Sequence, residues 1–256
     1  MSTQVVVVGA GYAGAGAIKR LEDELDAGVD LTWISEHDYH LVLHEVHRCI
    51  REPSVESKVA IPVDEIKSPS TEFVEGRVTD VDVDERVVEL EDDEIEYDYL
   101  LLGVGSSTAF FGIDGLQEHA HELKGLDDAR AIHADVEAAA EAASRDDPAR
   151  VIVGGAGLSG IQTAGEIAEY RDKHRAPIEI KLVEGLDEVF PGNDPQVQGA
   201  LRQRLEEADV EILTGDFISK ADEDAVYLGG GEEEEPEELT YDVLVWTGGI
   251  TGQPEL

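Results

Sequence analysis

The chain has 256 residues, 41% of them hydrophobic, enough for one large domain or two small ones. Asp and Glu number 59 against 19 Lys and Arg, a formal charge of −40, which excludes non-specific nucleic-acid binding and a polybasic membrane patch, since both need cations facing phosphate. A single cysteine, Cys49, excludes an intramolecular disulfide, a dithiol redox pair and Cys-rich zinc sites, and no apolar run approaches the ~20 residues of a membrane span.

The apolar content is ordinary and falls in clean runs, so the acidity does not read as disorder. Lys is scarce, 7 against 12 Arg, and the surface resembles that of cytoplasmic proteins from extreme halophiles, where concentrated salt screens like charges. A soluble, cytoplasmic chain is expected.

The first element is a continuous apolar strand, Val5 to Val8, of the kind a buried parallel sheet demands. It runs straight into Gly9-Ala10-Gly11-Tyr12-Ala13-Gly14, which is unlike a signal peptide. A helix follows from about Ala13 to Leu25, then a strand from Leu31 ending on Glu36. His40, His44 and His47 stand at i, i+4 and i+7, and the stretch His44 to Ile50 reads as a helix; the three rings could share a face, but no metal is assigned to them. An acid-rich hairpin is expected from Phe73–Val78 to Val87–Leu90, and the strand Tyr97 to Gly105 closes the unit. An Ala-rich helix, about Leu126 to Ser144, leads into a second round. There Val151–Val153 meets Gly154-Gly155-Ala156-Gly157-Leu158-Ser159-Gly160, and a helix runs from Leu158 to Tyr170. A strand from Ile178 ends on Glu184, a hairpin joins Val210–Gly215 to Ala225–Leu228, and the strand Tyr241 to Gly249 closes the unit. The acidic run Glu232 to Glu238 reads as a solvated hairpin tip. Strand, helix, strand, hairpin and strand, twice over, predict an α/β fold of two tandem Rossmann-like dinucleotide-binding domains, each with a parallel sheet, crossover helices and a hairpin or meander insertion.

Gly9 and Gly155 permit the tight turn, Gly11 and Gly157 let backbone approach a pyrophosphate, and Gly14 and Gly160 let helix pack on strand. The diphosphate then meets free N–H groups at a helix N-terminus. Glu36 and Glu184 lie 25 and 27 residues past Gly11 and Gly157, near the spacing of a ribose-binding carboxylate, although Glu36 also reads as a solvated acid if the strand ends at Ser35. No Arg follows Glu184 closely, which favours NADH over NADPH.

Two dinucleotide sites on one chain imply electron flow between two dinucleotides. The sequence resembles the flavoproteins with two dinucleotide-binding domains and, among them, the type II NADH:quinone oxidoreductases. The resemblance rests on Val8–Gly14, Asp38-Tyr39-His40, Leu43-His44-Glu45, Leu102-Gly103-Val104-Gly105-Ser106, Phe111–Gly115, Val153–Gly157, Gly165-Glu166-Ile167 and Val245–Ile250. It implies FAD on a first domain, residues 1–112, held by Gly9, Gly11, Tyr12, Ala13, Gly14 and Glu36, with Val78 meeting the adenine through its backbone and Gly103, Gly105 and Ser106 along the cofactor. It implies NADH on a second domain, residues 113–256, held by Gly155, Gly157, Leu158, Gly160 and Glu184, with Gly248 and Gly249 letting the nicotinamide lie near the flavin. The implied reaction passes a hydride from NADH to FAD and two electrons to a quinone-like acceptor. Glu166 and Gln162 are the catalytic candidates; a solvated helix-face acid is the plainer reading of Glu166.

The chain departs from the family where Gln162 stands in place of the usual Glu, where about three residues are missing between His40 and Leu43, and after Leu256, where the returning FAD segment and the C-terminal part would follow. A fragment of a longer protein is therefore expected, with the dimer surface and peripheral attachment to the inner face of the membrane in the missing part. The alternatives are a single-cysteine NADH oxidase or peroxidase or a coenzyme-A disulfide reductase using Cys49, whose pKa His47, Arg48 and Arg51 could lower, and a non-catalytic NADH-binding redox sensor.

Overall fold

The computed structural model describes residues 2–26, 28–230 and 235–253. In chain order its elements are β1 (Thr3–Val8), α1 (Tyr12–Glu24), β2 (Val29–Ser35), β3 (Tyr39–Leu41), α2 (Arg48–Arg51), α3 (Glu56–Val59), β4 (Ala60–Pro62), β5 (Glu72–Glu75), β6 (Val78–Asp82), β7 (Val87–Leu90), β8 (Glu94–Glu96), β9 (Tyr99–Leu102) and β10 (Ser107–Thr108). There follow α4 (Leu116–His119), α5 (Leu126–Ala142), β11 (Ala149–Gly154), α6 (Leu158–His174), β12 (Ile178–Glu184), α7 (Pro195–Glu207), β13 (Val210–Thr214), β14 (Ile218–Ala221), β15 (Ala225–Leu228), β16 (Glu237–Thr240), β17 (Val243–Trp246) and β18 (Ile250–Thr251).

The chain divides into two units, residues 1–43, 57–107 and 251–256, and residues 44–56 with 108–250. This division departs from two consecutive blocks meeting at 112/113: residues 44–56 belong with the second unit, because α2 packs on α5 and α6, and the last residues belong with the first.

Unit 1 carries a parallel sheet in the order β5-β2-β1-β9, an antiparallel meander β6-β7-β8 and the pair β3-β4. Unit 2 repeats the plan with β13-β12-β11-β17 and the meander β14-β15-β16. Val5 to Val8 is apolar throughout because the strand is covered on both faces. Val5 and Val7 pack with Ile18, Leu31 and Trp33, whereas Val6 and Val8 pack with Ile34 and Val88. In unit 2, Ile152 packs with Val183, Ile218 and Leu244.

The register fixes where the loops emerge. β1 ends with Val8 beside Ile34 and Leu102, and β11 ends with Gly154 beside Val183 and Trp246. In both sheets chain order reverses across the central strand, which opens a crevice at the carboxyl ends of the strands.

Two expected hairpins are paired differently. β5 joins β2 in parallel, with Phe73 beside Trp33, and β7 takes β6 as its antiparallel partner. β13 likewise joins β12 in parallel, and β15 lies between β14 and β16. A short apolar run alternates alike in both kinds of sheet, so periodicity does not choose the partner. The helix expected over His44 to Ile50 is a 3-10 turn at Leu43–Glu45 followed by α2. His40 lies on β3, so the three histidines share no helical face; no group of three His, Cys, Asp or Glu among the described residues is placed to hold a metal. Of the acidic run 232–238, residues 232–234 lie outside the described residues, and Glu237 and Glu238 open β16, exposed.

Candidate dinucleotide-binding sites

Each central strand turns into its helix through a glycine in the left-handed region, φ +98° at Gly9 and +91° at Gly155. There the backbone is crowded: a Cβ on Gly9 would overlap the Gly103 carbonyl, and one on Gly155 would lie 2.6 Å from Gly248 Cα. One turn into the helix the crowding recurs, since a Cβ on Gly14 or Gly160 would run into the carbonyl of Gly9 or Gly155. Gly11 and Gly157 differ. They are the N-caps of α1 and α6, in extended conformation, and a Cβ there would meet nothing closer than Gly103 O at 4.0 Å, or nothing at all at Gly157. Neither helix has a side-chain cap or an acid in its first turn, whereas α7 is capped by Asp194 and α5 by Asp128. Open space above uncapped N–H groups at the positive end of a helix suits an anion. Tyr12, Ala13 and Leu158, in these first turns, are exposed.

The loop carbonyls are held in different ways. Trp33 Nε1 donates to Gly9 O at 2.9 Å and His40 Nδ1 to Ala10 O at 2.7 Å; a carbonyl only accepts, so His40 carries its proton on Nδ1. In unit 2, Thr247 Oγ1 lies 3.0 Å from both Gly154 O and Gly155 O, and the Phe190 N–H donates to Ala156 O at 2.7 Å.

The acids also part company. Glu184 is the last residue of β12; its Oε2 accepts from the Ala156 N–H at 2.7 Å and its Oε1 from the Leu186 N–H at 3.0 Å. It borders a cavity of about 510 Å³ that Gly155, Gly248 and Trp246 also line. Glu36 lies one residue beyond β2, 57% exposed, with Arg77 at 4.0 Å. The strand ends at Ser35, so Glu36 stands just outside it.

A Cβ on Gly103 would lie 3.0 Å from both Gly14 N and Val8 O, so this glycine serves the packing of the end of β9 on the loop. Gly105 has φ +72° with open space around it, next to Ser106. Val78 opens β6 and, half-buried, packs against the core cluster of Val6, Val8, Ile34 and Val88. A Cβ on Gly248 would enter the Trp246 ring, and one on Gly249 would lie 2.5 Å from Phe111 Cζ. The Trp246 ring therefore crowds Gly248 before any ligand does, whereas the exposed Phe111 ring beside Gly249 is free to give way.

Gln162 and Glu166 lie one turn apart on α6. Glu166 is largely buried; Arg51 Nε stands 3.0 Å from its Oε2 without pointing at it as a hydrogen bond, and His47 Nε2 is 3.9 Å from Oε1. Burial raises the Glu166 pKa against the pull of Arg51, and burial lowers that of His47. Arg51 also pairs with Glu169, and together these contacts pin α2 to α6. Cys49 is buried and its pKa is pushed up to about 11 by burial. Burial outweighs the downward pull of Arg130 and Arg48, and a protonated thiol does not serve the single-cysteine chemistry. Sequence reasoning passed over Trp33, His40, Phe190 and Thr247 as holders of the loops, since contacts made across a sheet leave no local pattern.

The sequence profile of the pyridine nucleotide-disulphide oxidoreductases matches residues 3–256. The type II NADH:quinone oxidoreductase of Staphylococcus saprophyticus is 27% identical over 263 aligned residues, covering 97% of this chain, and that of Staphylococcus epidermidis is 28% identical over the same length. The chain spans 65% of the length of these relatives. Among solved structures, NDH2 from Plasmodium falciparum in complex with NADH superposes with a TM-score of 0.86 at 19% identity, covering 99% of this chain and 56% of that one. The sulfide:quinone oxidoreductase of Aquifex aeolicus gives 0.78 at 16%, covering 98% and 60%. With two Rossmann-like units in tandem and a family match over nearly its whole length, the chain belongs to the pyridine nucleotide-disulphide oxidoreductase family.

Proposed function

We propose that the chain carries the two dinucleotide sites of an FAD-dependent NADH dehydrogenase that passes a hydride from NADH to FAD and electrons on to a quinone-like acceptor. The observation that carries this reading is the doubled glycine loop, each copy ending a parallel strand, opening an uncapped helix and offering free space at its middle glycine. The similarity to type II NADH:quinone oxidoreductases supports the choice of donor and acceptor.

In this reading unit 1 takes FAD. Gly9, Gly11 and Gly14 cradle its pyrophosphate at the N-terminus of α1, Tyr12 and Ala13 border it, Glu36 reaches for the ribose, and Val78, Gly103, Gly105 and Ser106 lie along it. The open space at Gly11 fits such a group. Bound there, FAD supplies a ring system that accepts a hydride and hands on two electrons. Unit 2 takes NADH: Gly155, Gly157, Leu158 and Gly160 receive its pyrophosphate at α6, and Gly248 and Gly249 flank the nicotinamide. Glu184, already anchored by two N–H groups, keeps lone pairs for ribose hydroxyls and repels a 2′-phosphate. Gln162 is a neutral group close to the reacting rings, and Glu166 positions it through α6. Among the described residues no helix is long and apolar enough to cross a membrane. A quinone-like acceptor dissolved in lipid fits peripheral attachment at the inner face of the membrane, and a homodimer is part of the same reading.

The reading is tested by reconstituting the chain with FAD in molar KCl and adding NADH without oxygen. Loss of flavin absorbance near stoichiometric NADH, with a weaker response to NADPH, is expected. A flavin that stays oxidised would refute the dehydrogenase and leave a nucleotide-binding sensor.

A further inference from the structure

The cavity beside Glu184 has one wall that the binding of sugar and phosphate does not use. β12 ends at Glu184 and continues into Gly185, where a Cβ would lie 2.9 Å from Phe217 Cβ. Phe217 follows β13 through Gly215, whose φ is +91° and whose N–H reaches the carbonyls of Glu184 and Leu186, each at 3.0 Å. The Gly229 N–H donates to Phe217 O at 2.9 Å, so the root of this side chain is fixed on three sides. Phe217 is nevertheless 61% exposed.

Beside it runs the segment that holds Phe111. The two segments are bridged in parallel at Asp114 and Lys220, and the Ala221 N–H donates to Asp114 O at 2.9 Å. Phe111 and Phe217 each lie three residues upstream of that bridge, and both line the cavity. Phe111 is 69% exposed and holds φ +54°, a left-handed conformation that a bulky residue rarely adopts. The whole chain has only five phenylalanines. Two of them present their rings to one cavity, and the fold does not bury them.

We infer that Phe217, with Phe111 beside it, is the platform on which the flat adenine of the dinucleotide rests, and that Phe217 is a specificity-determining residue for an adenine-bearing ligand. The inference rests on the reading of unit 2 as the NADH site. Glu184 fixes the ribose end, and Gly185 places Phe217 immediately beside it, so the base attached to that ribose meets an apolar face. A base stacked on an aromatic ring is held through its π face.

The test measures binding rather than turnover. NADH, ADP-ribose and nicotinamide mononucleotide are titrated calorimetrically, in molar KCl, into the unmodified chain and into the Phe217→Ala, Phe217→Leu and Phe217→Tyr variants. Ring-current shifts of the adenine H2 and H8 protons are followed in parallel. Phe217→Ala should weaken NADH and ADP-ribose about tenfold or more and leave the mononucleotide unchanged. Phe217→Leu, which keeps the packing on Gly185, should abolish the upfield adenine shifts, and Phe217→Tyr should restore both affinity and shifts. Tight NADH binding that Phe217→Ala and Phe217→Leu leave unaltered would overturn the platform and leave the NADH site standing. Failure of the unmodified chain to bind either NADH or ADP-ribose would overturn the NADH site and the platform with it.

Discussion

The two glycine loops have the same backbone and different chemistry around it. Both make the turn with a left-handed glycine, and both crowd that turn with a helix glycine whose Cβ would strike its carbonyl. These are demands of strand-to-helix packing, and any chain that makes the turn must meet them. What surrounds the turn is free to differ. Unit 1 holds its loop carbonyls with side chains, the Trp33 indole and the His40 imidazole, and leaves Glu36 outside the strand, facing Arg77. Unit 2 uses the Phe190 backbone N–H and the Thr247 hydroxyl, and draws Glu184 onto the loop itself through the Ala156 N–H. The shared geometry leaves open space at a helix N-terminus without a side-chain cap in each unit; the unshared contacts decide how tightly an acid is locked beside it.

The largest effects should come from breaking the shared part. Gly14→Ala and Gly160→Ala each push a methyl into a backbone carbonyl that cannot step aside. Each should cost about 3 kcal/mol, the upper end for overpacking, seen as an earlier denaturant midpoint in molar KCl. A cost near zero in either would show that the helix and strand are not packed as closely as described.

Next come the two ways of holding the loop. Trp33→Phe removes the donor to Gly9 O from a fully buried position and should cost about 2 kcal/mol. Thr247→Val should cost about 1 kcal/mol, because Gly154 O keeps the Thr247 N–H at 2.8 Å. Equal losses in denaturant unfolding would erase this difference between the units.

The acids should differ more subtly. Glu184→Gln removes the charge that repels a 2′-phosphate while keeping an acceptor for the loop N–H, and should narrow the NADH preference over NADPH about tenfold, ~1.4 kcal/mol. Glu36→Gln, at an exposed position and keeping an acceptor oxygen for the ribose hydroxyls, should change FAD affinity by less than about threefold, roughly 0.6 kcal/mol. Competition titrations measure both, and a larger effect at Glu36 would reverse the contrast drawn here.

Much of this plan is legible in the amino-acid order. Val5–Val8 and Val151–Val153 announce buried parallel strands, the glycine spacing gives the turns, and Glu184 ends its strand as read. Other features have no local signature. β5 and β13 look like hairpin arms because alternation does not reveal a partner across a sheet. Residues 44–56 belong with unit 2 through α2, a helix of four residues too short to show a periodic face. Gly248 reads as a ligand glycine, but the buried Trp246 ring already crowds it. Lone aromatics such as Phe111 and Phe217 have no pattern until a fold sets them side by side.

The central claim, that one backbone device repeated twice serves two different dinucleotides, is tested most directly at the two open glycines. Gly11→Ala and Gly157→Ala add a methyl where the folded chain has space, so folding should be preserved. Calorimetric titration of each variant with FAD and with NADH should then give a crossed result: Gly11→Ala loses FAD and keeps NADH, and Gly157→Ala loses NADH and keeps FAD. Either substitution weakening both ligands alike, or neither, would contradict the account.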